Sequence, residues 1–286
     1  MNLLKHLFLK IKWQGWQKLN KLVKEIEARL QGISTTPYLD ALFFVEAYER
    51  QQKEITSCDV DDFVKRIQKK EPVSKIVGER GFWALDFKVT KDVLDPRSDS
   101  ETIIESVLSY FKDKEAPLSI LDIGTGSGCL LISLLYEYKN AKGIGVDISD
   151  KALQIAKENG LDYNASFFKK DLFSKDFIND LPVFDVIVSN PPYIPTKEIE
   201  NLEENVRYYD PLLALDGGID GLDAYRSLAH SLKHLLTPGG KIFFEIGKGQ
   251  EKSVIALMKD KGYTLLEERK DLAGIIRVLV FSFEGK

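Results

Sequence analysis

The sequence predicts an α/β protein: a mostly parallel sheet of seven strands with helices on both faces, preceded by a small helical domain. Three observations predict it. From residue 119 onward, short runs of β-formers alternate with amphipathic helical runs, the order that builds strand–helix–strand units into one sheet. Before about residue 75, apolar residues recur only at helical spacing. Charge changes with the pattern: residues 1–80 carry 15 basic and 11 acidic side chains, and the remainder carries 25 and 33.

Leu3, Leu4, Leu7, Phe8 and Ile11 form one helical stripe, and Leu19, Leu22, Val23, Ile26 and Leu30 a second. Thr36-Pro37 opens a helix through 38–51, and 59–70 reads as another. Residues 81–90 are rich in β-formers with a break at Asp86, which predicts a short hairpin or extended linker. Strands follow at 119–124, 141–148, 165–173, 184–190, 240–247, 263–271 and 277–284. Helices are expected at 100–112, 128–139, 150–160, 224–236 and 250–262. The last two strands, joined by a short loop, predict an antiparallel edge. The domain boundaries are 1–78 for the helical part, 79–97 for the hairpin or linker and 98–286 for the sheet.

Composition excludes several classes. With 44% hydrophobic and 29% charged residues, the chain reads as an ordinary globular protein. No apolar run approaches the roughly 18–20 residues that span a bilayer. Lysines interrupt the apolar residues of the first segment, unlike a secretory signal. Cys58 and Cys129 are far apart and lack Cys or His partners at metal spacing, so neither a disulfide framework nor a metal site is expected. These features point to the cytoplasm, with an organellar matrix as the lesser alternative. The acidic main body argues against a broad phosphate-binding surface and a stable nucleic-acid partner. The first 24 residues hold six lysines and no acid, which reads as a solvated helix face.

Gly124, Thr125, Gly126, Ser127 and Gly128 lie between the first sheet strand and its helix, where doubly wound sheets bind adenosine-containing ligands. The dinucleotide fingerprint requires glycine at 129, which is Cys129, and no G-K-[S/T] follows. The loop therefore suits a ligand that need not carry phosphate. Asp147 ends the next strand, where a carboxylate accepts ribose hydroxyls. Asp171 and Leu172 end the third, placed for an exocyclic amine and an aromatic ring. Any one of these alone is ordinary turn chemistry. Three strand ends in order, followed by the motif ending the fourth, are not.

That motif is Ser189-Asn190-Pro191-Pro192-Tyr193. The prolines fix φ and supply no N–H, and Asn190 before proline is forced toward extended backbone. The result is a stiff corner with bare carbonyls, one amide side chain and one phenol.

The segments DIGTGSGC, VDIS and NPPY together resemble class I S-adenosylmethionine-dependent methyltransferases, which have a Rossmann-like fold. GERGFWALDFKV, LALDGGIDGLDAYR, PGGKIFFEIG and DLAGIIRVLV narrow the resemblance to the HemK/PrmC family, the protein-(glutamine-N5) methyltransferases of peptide-chain release factors. The resemblance covers nearly all the chain from about Glu25. It implies S-adenosyl-L-methionine as donor, S-adenosyl-L-homocysteine as product, and the Gly-Gly-Gln loop of a release factor as acceptor. It also implies that the helical domain docks the substrate and that the protein is a monomer. By the family's pattern, the Asn190 side-chain oxygen and Pro191 carbonyl accept the two hydrogens of the acceptor amide, Pro192 stiffens the corner, Tyr193 walls the pocket, and Asn190 also borders the cofactor. No dedicated base is called for.

One segment departs. The family's I-P-R-P-[ED]-T-E reads Asp95-Pro96-Arg97-Ser98-Asp99-Ser100-Glu101 here. Ser98-x-x-Glu101 has the form of a capping box, which makes Glu101 a helix cap rather than a chemical residue. His230 and His234 share a helix face without a third ligand, and Trp13, Trp16 and Trp83 read as packing residues. Gly217, Gly218 and Gly221 read as turn glycines, although in the family their loop lies near the acceptor site. Two alternatives stand: an N-methyltransferase acting on an exocyclic amine of a flipped base, and a non-catalytic adapter, which the intact glycine loop, Asp147 and Asn190 disfavour.

Overall fold

The computed structural model describes residues 13–284, so the stripe at 3–11 lies outside the described residues. The chain divides into two compact units, Met1–Glu79 and Arg80–Lys286.

The first unit contains α1 (Trp13–Leu30), α2 (Pro37–Arg50), α3 (Ser57–Gln68) and α4 (Val73–Val77). Pro37 stands in the first turn of α2, where its missing N–H has no partner to lose. A capping box starts α3: the Thr56 hydroxyl accepts from the Asp59 N–H, and Asp59 accepts from the Thr56 N–H. Ile26, Leu30, Ala41 and Phe63 are wholly buried between these helices. Phe44 stacks on Phe63 with centroids 4.2 Å apart.

The predicted hairpin comprises β1 (Glu79–Phe82) and β2 (Leu85–Lys88). Its turn falls at Trp83-Ala84, not at Asp86, which lies inside β2. Two bonds hold Trp83 in a left-handed turn with φ +55°. Its N–H donates to Glu101 Oε1 at 2.7 Å, and its indole N–H to Glu137 Oε1 at 2.8 Å.

The second unit is built on seven strands: β3 (Ser119–Ile123), β4 (Lys142–Asp147), β5 (Ala165–Lys169), β6 (Phe184–Ser189), β7 (Leu236–Glu245), β8 (Thr264–Lys270) and β9 (Ile276–Ser282). Their order is β5-β4-β3-β6-β7-β9-β8. The first five run parallel, and β9 enters antiparallel between β7 and the edge strand β8. This is the class I methyltransferase fold. Alternation divides the strands between two cores. Ile120, Val186, Val188 and Phe243 pack with α5 (Glu101–Tyr110), α6 (Cys129–Glu137) and α7 (Asp150–Asn159). Leu121, Ile123, Ile187, Ile242 and Phe244 pack with α9 (Asp223–Ser231) and α10 (Glu251–Asp260) on the other face. Between β6 and α9 lie two 3₁₀ turns and α8 (Glu204–Arg207).

Several boundaries are shorter than the sequence predicts. The third sheet strand stops at Lys169, because Asp171 Oδ1 accepts the Phe173 N–H and turns the chain. The helix expected to 236 ends at Ser231 and tightens into a 3₁₀ turn, Leu232–His234, before β7 begins. Among the described residues, no helix is long and apolar enough to cross a membrane.

Phe244 is wholly buried, with edge-on contacts to Tyr225 and Phe281. Phe244→Ala should cost about 3–5 kcal/mol, read from the urea midpoint of the full chain.

Candidate active site

Parallel register sets the site. Phe168, Val146, Ile123, Ser189 and Phe244 form one row across five adjacent strands. One residue further along come Asp147, Gly124, Asn190 and Glu245, all at the carboxyl edge of the sheet. Since Phe244 faces the α9 core, alternation turns Glu245 toward the α5 side. Asn190 falls on that side too, following Val186 and Val188 at period two.

The glycine loop is tied down from below. The N–H groups of Gly124 and Thr125 both donate to Val146 O, at 2.9 and 3.0 Å. The Thr125 hydroxyl donates to Asp122 Oδ2 at 2.6 Å, and Gly126 N–H to Asp147 Oδ2 at 3.0 Å. Gly124 and Gly126 have φ of +71° and +55°, which glycine tolerates without strain. A Cβ at Gly124 would meet nothing within 4 Å, and one at Gly126 would only graze a carbonyl at 4.0 Å. The loop is therefore a cradle with open space before it, which a side chain would fill. Asp147 Oδ1 accepts the Ser149 N–H at 2.9 Å, and the carboxylate keeps acceptor capacity beyond its backbone donors. Burial raises the Asp147 carboxyl, against the pull of these N–H donors. Ser127 is buried, and Asn159 Nδ2 donates to its carbonyl at 2.9 Å. Asp171 stands two residues past β5, half-buried. Leu172 packs against the α9 core, and its carbonyl accepts the Ser227 hydroxyl. An open cradle, a carboxylate with spare lone pairs and an apolar neighbour fit an adenosyl group.

The proline corner is braced from behind. Pro191 is buried, and Asn190, Pro192 and Tyr193 are half-buried. Gln250 Nε2 donates to Tyr193 O at 2.9 Å and Gly221 O at 3.2 Å, while its Oε1 accepts the Gly247 N–H at 2.9 Å. Gly221 has φ +75°, and a Cβ there would lie 2.2 Å from Tyr193 O. Gly217 donates its N–H to Ile194 O at 2.9 Å. The turn glycines thus lie against the corner itself. Asn190 Nδ2 donates to Ser100 Oγ at 3.1 Å, Ser100 Oγ donates to Glu245 Oε2, and Tyr193 OH donates to Glu245 Oε1 at 3.4 Å. Among the described residues, nothing donates to Asn190 Oδ1 or Pro191 O. Asn190, Tyr193 and Glu245 share a cavity with Arg97, Ser98 and Asp99. Burial pushes Glu245 up to about 7, against the Ser100 hydroxyl and the Arg277 charge. Burial and the Glu245 charge also raise the Tyr193 phenol.

A family model described as a methyltransferase domain matches residues 114–269. A release factor glutamine methyltransferase of Caulobacter vibrioides is 44% identical over 225 residues, covering 77% of this chain and 76% of that protein. This chain belongs to the release factor glutamine methyltransferase family. Relatives of the same name include one from Agrobacterium fabrum, 38% identical over 83% of each chain. Another, from Clostridium acetobutylicum, is 35% identical over 84% of this chain and 85% of its own.

The segment that departs from the family's pattern does not form the expected capping box. Ser98–Ser100 is a 3₁₀ turn, and neither Arg97 nor Ser100 makes a side-chain cap. Glu101 instead holds the Trp83 N–H. Arg97 pairs with the buried carboxylate of Asp210 at 2.6 Å. Ser100, Glu245 and Gln250 were missed from sequence as members of this site. The one available signal was a carboxylate inside the apolar run of Lys241–Ile246, since an acid seldom enters a core unpaired. His230 and His234 are exposed.

Two outcomes are expected. Gly221→Ala should cost at least about 1–2 kcal/mol through left-handed strain, more through the clash, and lower both the thermal midpoint and turnover. Asp122 is wholly buried, and burial pushes its carboxyl from 3.8 to about 7. A raised carboxyl adds stability that is complete below 3.8 and lost as pH rises through about 7. Asp122→Asn removes that dependence, so its thermal midpoint should gain on wild type as pH rises from about 4 to about 7 and keep that gain above it.

Proposed function

We propose that this protein transfers a methyl group from S-adenosyl-L-methionine to the side-chain amide nitrogen of the glutamine in the Gly-Gly-Gln motif of peptide-chain release factors. The observation that carries this reading is the alignment of the glycine cradle, Asp147 and the Asn190 corner in one register row. The names borne by the relatives support it.

The backbone of Gly124, Thr125, Gly126, Ser127 and Gly128 lines the donor site. Asp147 accepts the ribose hydroxyls through its spare lone pairs. Asp171 accepts from the exocyclic amine through Oδ2, and Leu172 lies against the ring. S-adenosylmethionine, when bound, supplies an electrophilic methyl group; the amide nitrogen provides the electron pair of the new N–C bond, and sulfur keeps the pair of the broken C–S bond. An amide nitrogen is a poor nucleophile because its lone pair is delocalised. The chain's own contribution is therefore orientation and charge. Asn190 Oδ1 and Pro191 O accept the two N–H groups of the acceptor, fix its nitrogen and favour the positive charge that develops on it. Pro191 and Pro192 keep the corner from relaxing, and Tyr193 walls it. The extra proton leaves to water after transfer. The helical unit holds the body of the release factor, and the protein acts as a monomer in the bacterial cytoplasm.

Mass spectrometry of a release factor incubated with the protein and S-adenosylmethionine tests this. A gain of one CH₂ on the Gly-Gly-Gln peptide is expected. Asn190→Ala should lower kcat on the order of 10²–10³-fold, with donor affinity changed far less. An unmodified release factor, with label appearing on RNA or DNA instead, would refute the reading.

A further inference from the structure

We propose that Ser100 and Glu245 are positioning residues that lock the Asn190 side chain with its oxygen, not its nitrogen, toward the acceptor. The inference deepens the reading above and rests on the role given there to Asn190.

The two ends of an asparagine amide have nearly the same shape, so only hydrogen-bond partners decide which end faces the cleft. Here the decision is made two groups away. An ionised carboxylate is an acceptor only. Glu245 therefore requires a hydrogen from each hydroxyl that faces it, and those are Ser100 on Oε2 and Tyr193 on Oε1. Ser100 has one hydrogen, and it is committed to Glu245. Its oxygen can then only accept from Asn190, which turns Asn190 Nδ2 inward and leaves Oδ1 outward. Flipping the amide would set two acceptors against each other. Glu245 is 1% exposed and Ser100 3%, so water does not compete for these bonds.

The ladder also ties together three elements that are distant in the chain. Ser100 lies at the start of α5, Glu245 at the end of β7 and Asn190 just past β6. The Ser100 hydroxyl occupies the position of the family's threonine, so the departure in this segment keeps the one atom the ladder uses.

Protonation of Glu245 would remove the constraint, because a neutral carboxyl can donate to Ser100 and release its hydrogen toward Asn190. The groups facing Glu245 are Asp99 beside Ser100, Arg277 on β9, Tyr193 on the corner, Cys129 on α6 and Tyr225 on α9. Burial is the largest influence and raises its carboxyl to about 7, so turnover should fall as pH drops through that value.

The test compares Ser100→Ala, Ser100→Thr, Glu245→Gln and Asn190→Ala in the full-length protein. It measures kcat for a release factor across pH, donor affinity by calorimetry, and the thermal midpoint. A glutamine at 245 can donate to Ser100 and so permits the flipped amide. Ser100→Ala and Glu245→Gln should each lower kcat by about 10-fold or more, with donor affinity held within about 2-fold. Ser100→Thr should keep turnover near wild type, and Glu245→Gln should lose the acid limb near pH 7. Should Glu245→Gln fail to fold, the contrast of alanine with threonine at 100 decides. If Asn190→Ala is inactive but Ser100→Ala and Glu245→Gln turn over like wild type at every pH, the ladder is overturned. If Asn190→Ala itself is active, the role of Asn190 fails, and the positioning role fails with it.

Discussion

Parallel strand register is the constraint from which the site follows. The ladders that pair Ile123 with Val146 on one side and with Ser189 on the other, and Ser189 with Phe244, bring four strand ends to one level. Each strand delivers one group: a glycine backbone, a carboxylate, an amide or a buried acid. No loop needs to reach far, because the sheet's hydrogen bonds already fix the spacing between strands. The loops then add only direction, through positive-φ glycines after β3 and prolines after β6.

That economy has a cost in buried charge. Asp122 and Glu245 lie on the same side of the sheet, at the edge of its apolar core, and both are pushed up to about 7 by loss of solvent. Each is answered by a hydroxyl rather than by a full opposing charge: Thr125 for Asp122 and Ser100 for Glu245. A neutral donor satisfies a carboxylate incompletely, which leaves it willing to take a proton near neutrality. A direct ion pair would have held each carboxylate ionised, but at the expense of burying a second charge. Arg277, whose positive charge acts on Glu245, instead pairs directly with Asp99 and Asp271.

The corner shows how local rigidity and tertiary support combine. Proline chemistry alone makes the backbone stiff. Its placement is decided by Gln250 and by the glycines at 217 and 221, which press so close that no side chain fits. The same logic holds at Trp83, whose left-handed turn is fixed by two acids distant in sequence.

The order of strands and helices, the glycine cradle, Asp147 and the Asn-Pro-Pro-Tyr corner were legible in the sequence by itself, because each is a local rule: period-two and helical spacing, a strand followed by glycines, proline after an amide. Boundaries were less legible. Whether β5 ran to 173 or stopped at Lys169 depended on an Asp171 side chain turning back on its own backbone. The apparent capping box at Ser98 and Glu101 had the right letters and the wrong partner, since Trp83 claimed Glu101 first. Only tertiary structure could decide what Ser100, Glu245 and Gln250 do. Apart from the Gly247 N–H beside Gln250, the partners that place them at the corner lie 29 to 145 residues away in the chain. A hydrogen bond at that separation leaves no periodicity to read; it exists only once the sheet has aligned the strands that carry it.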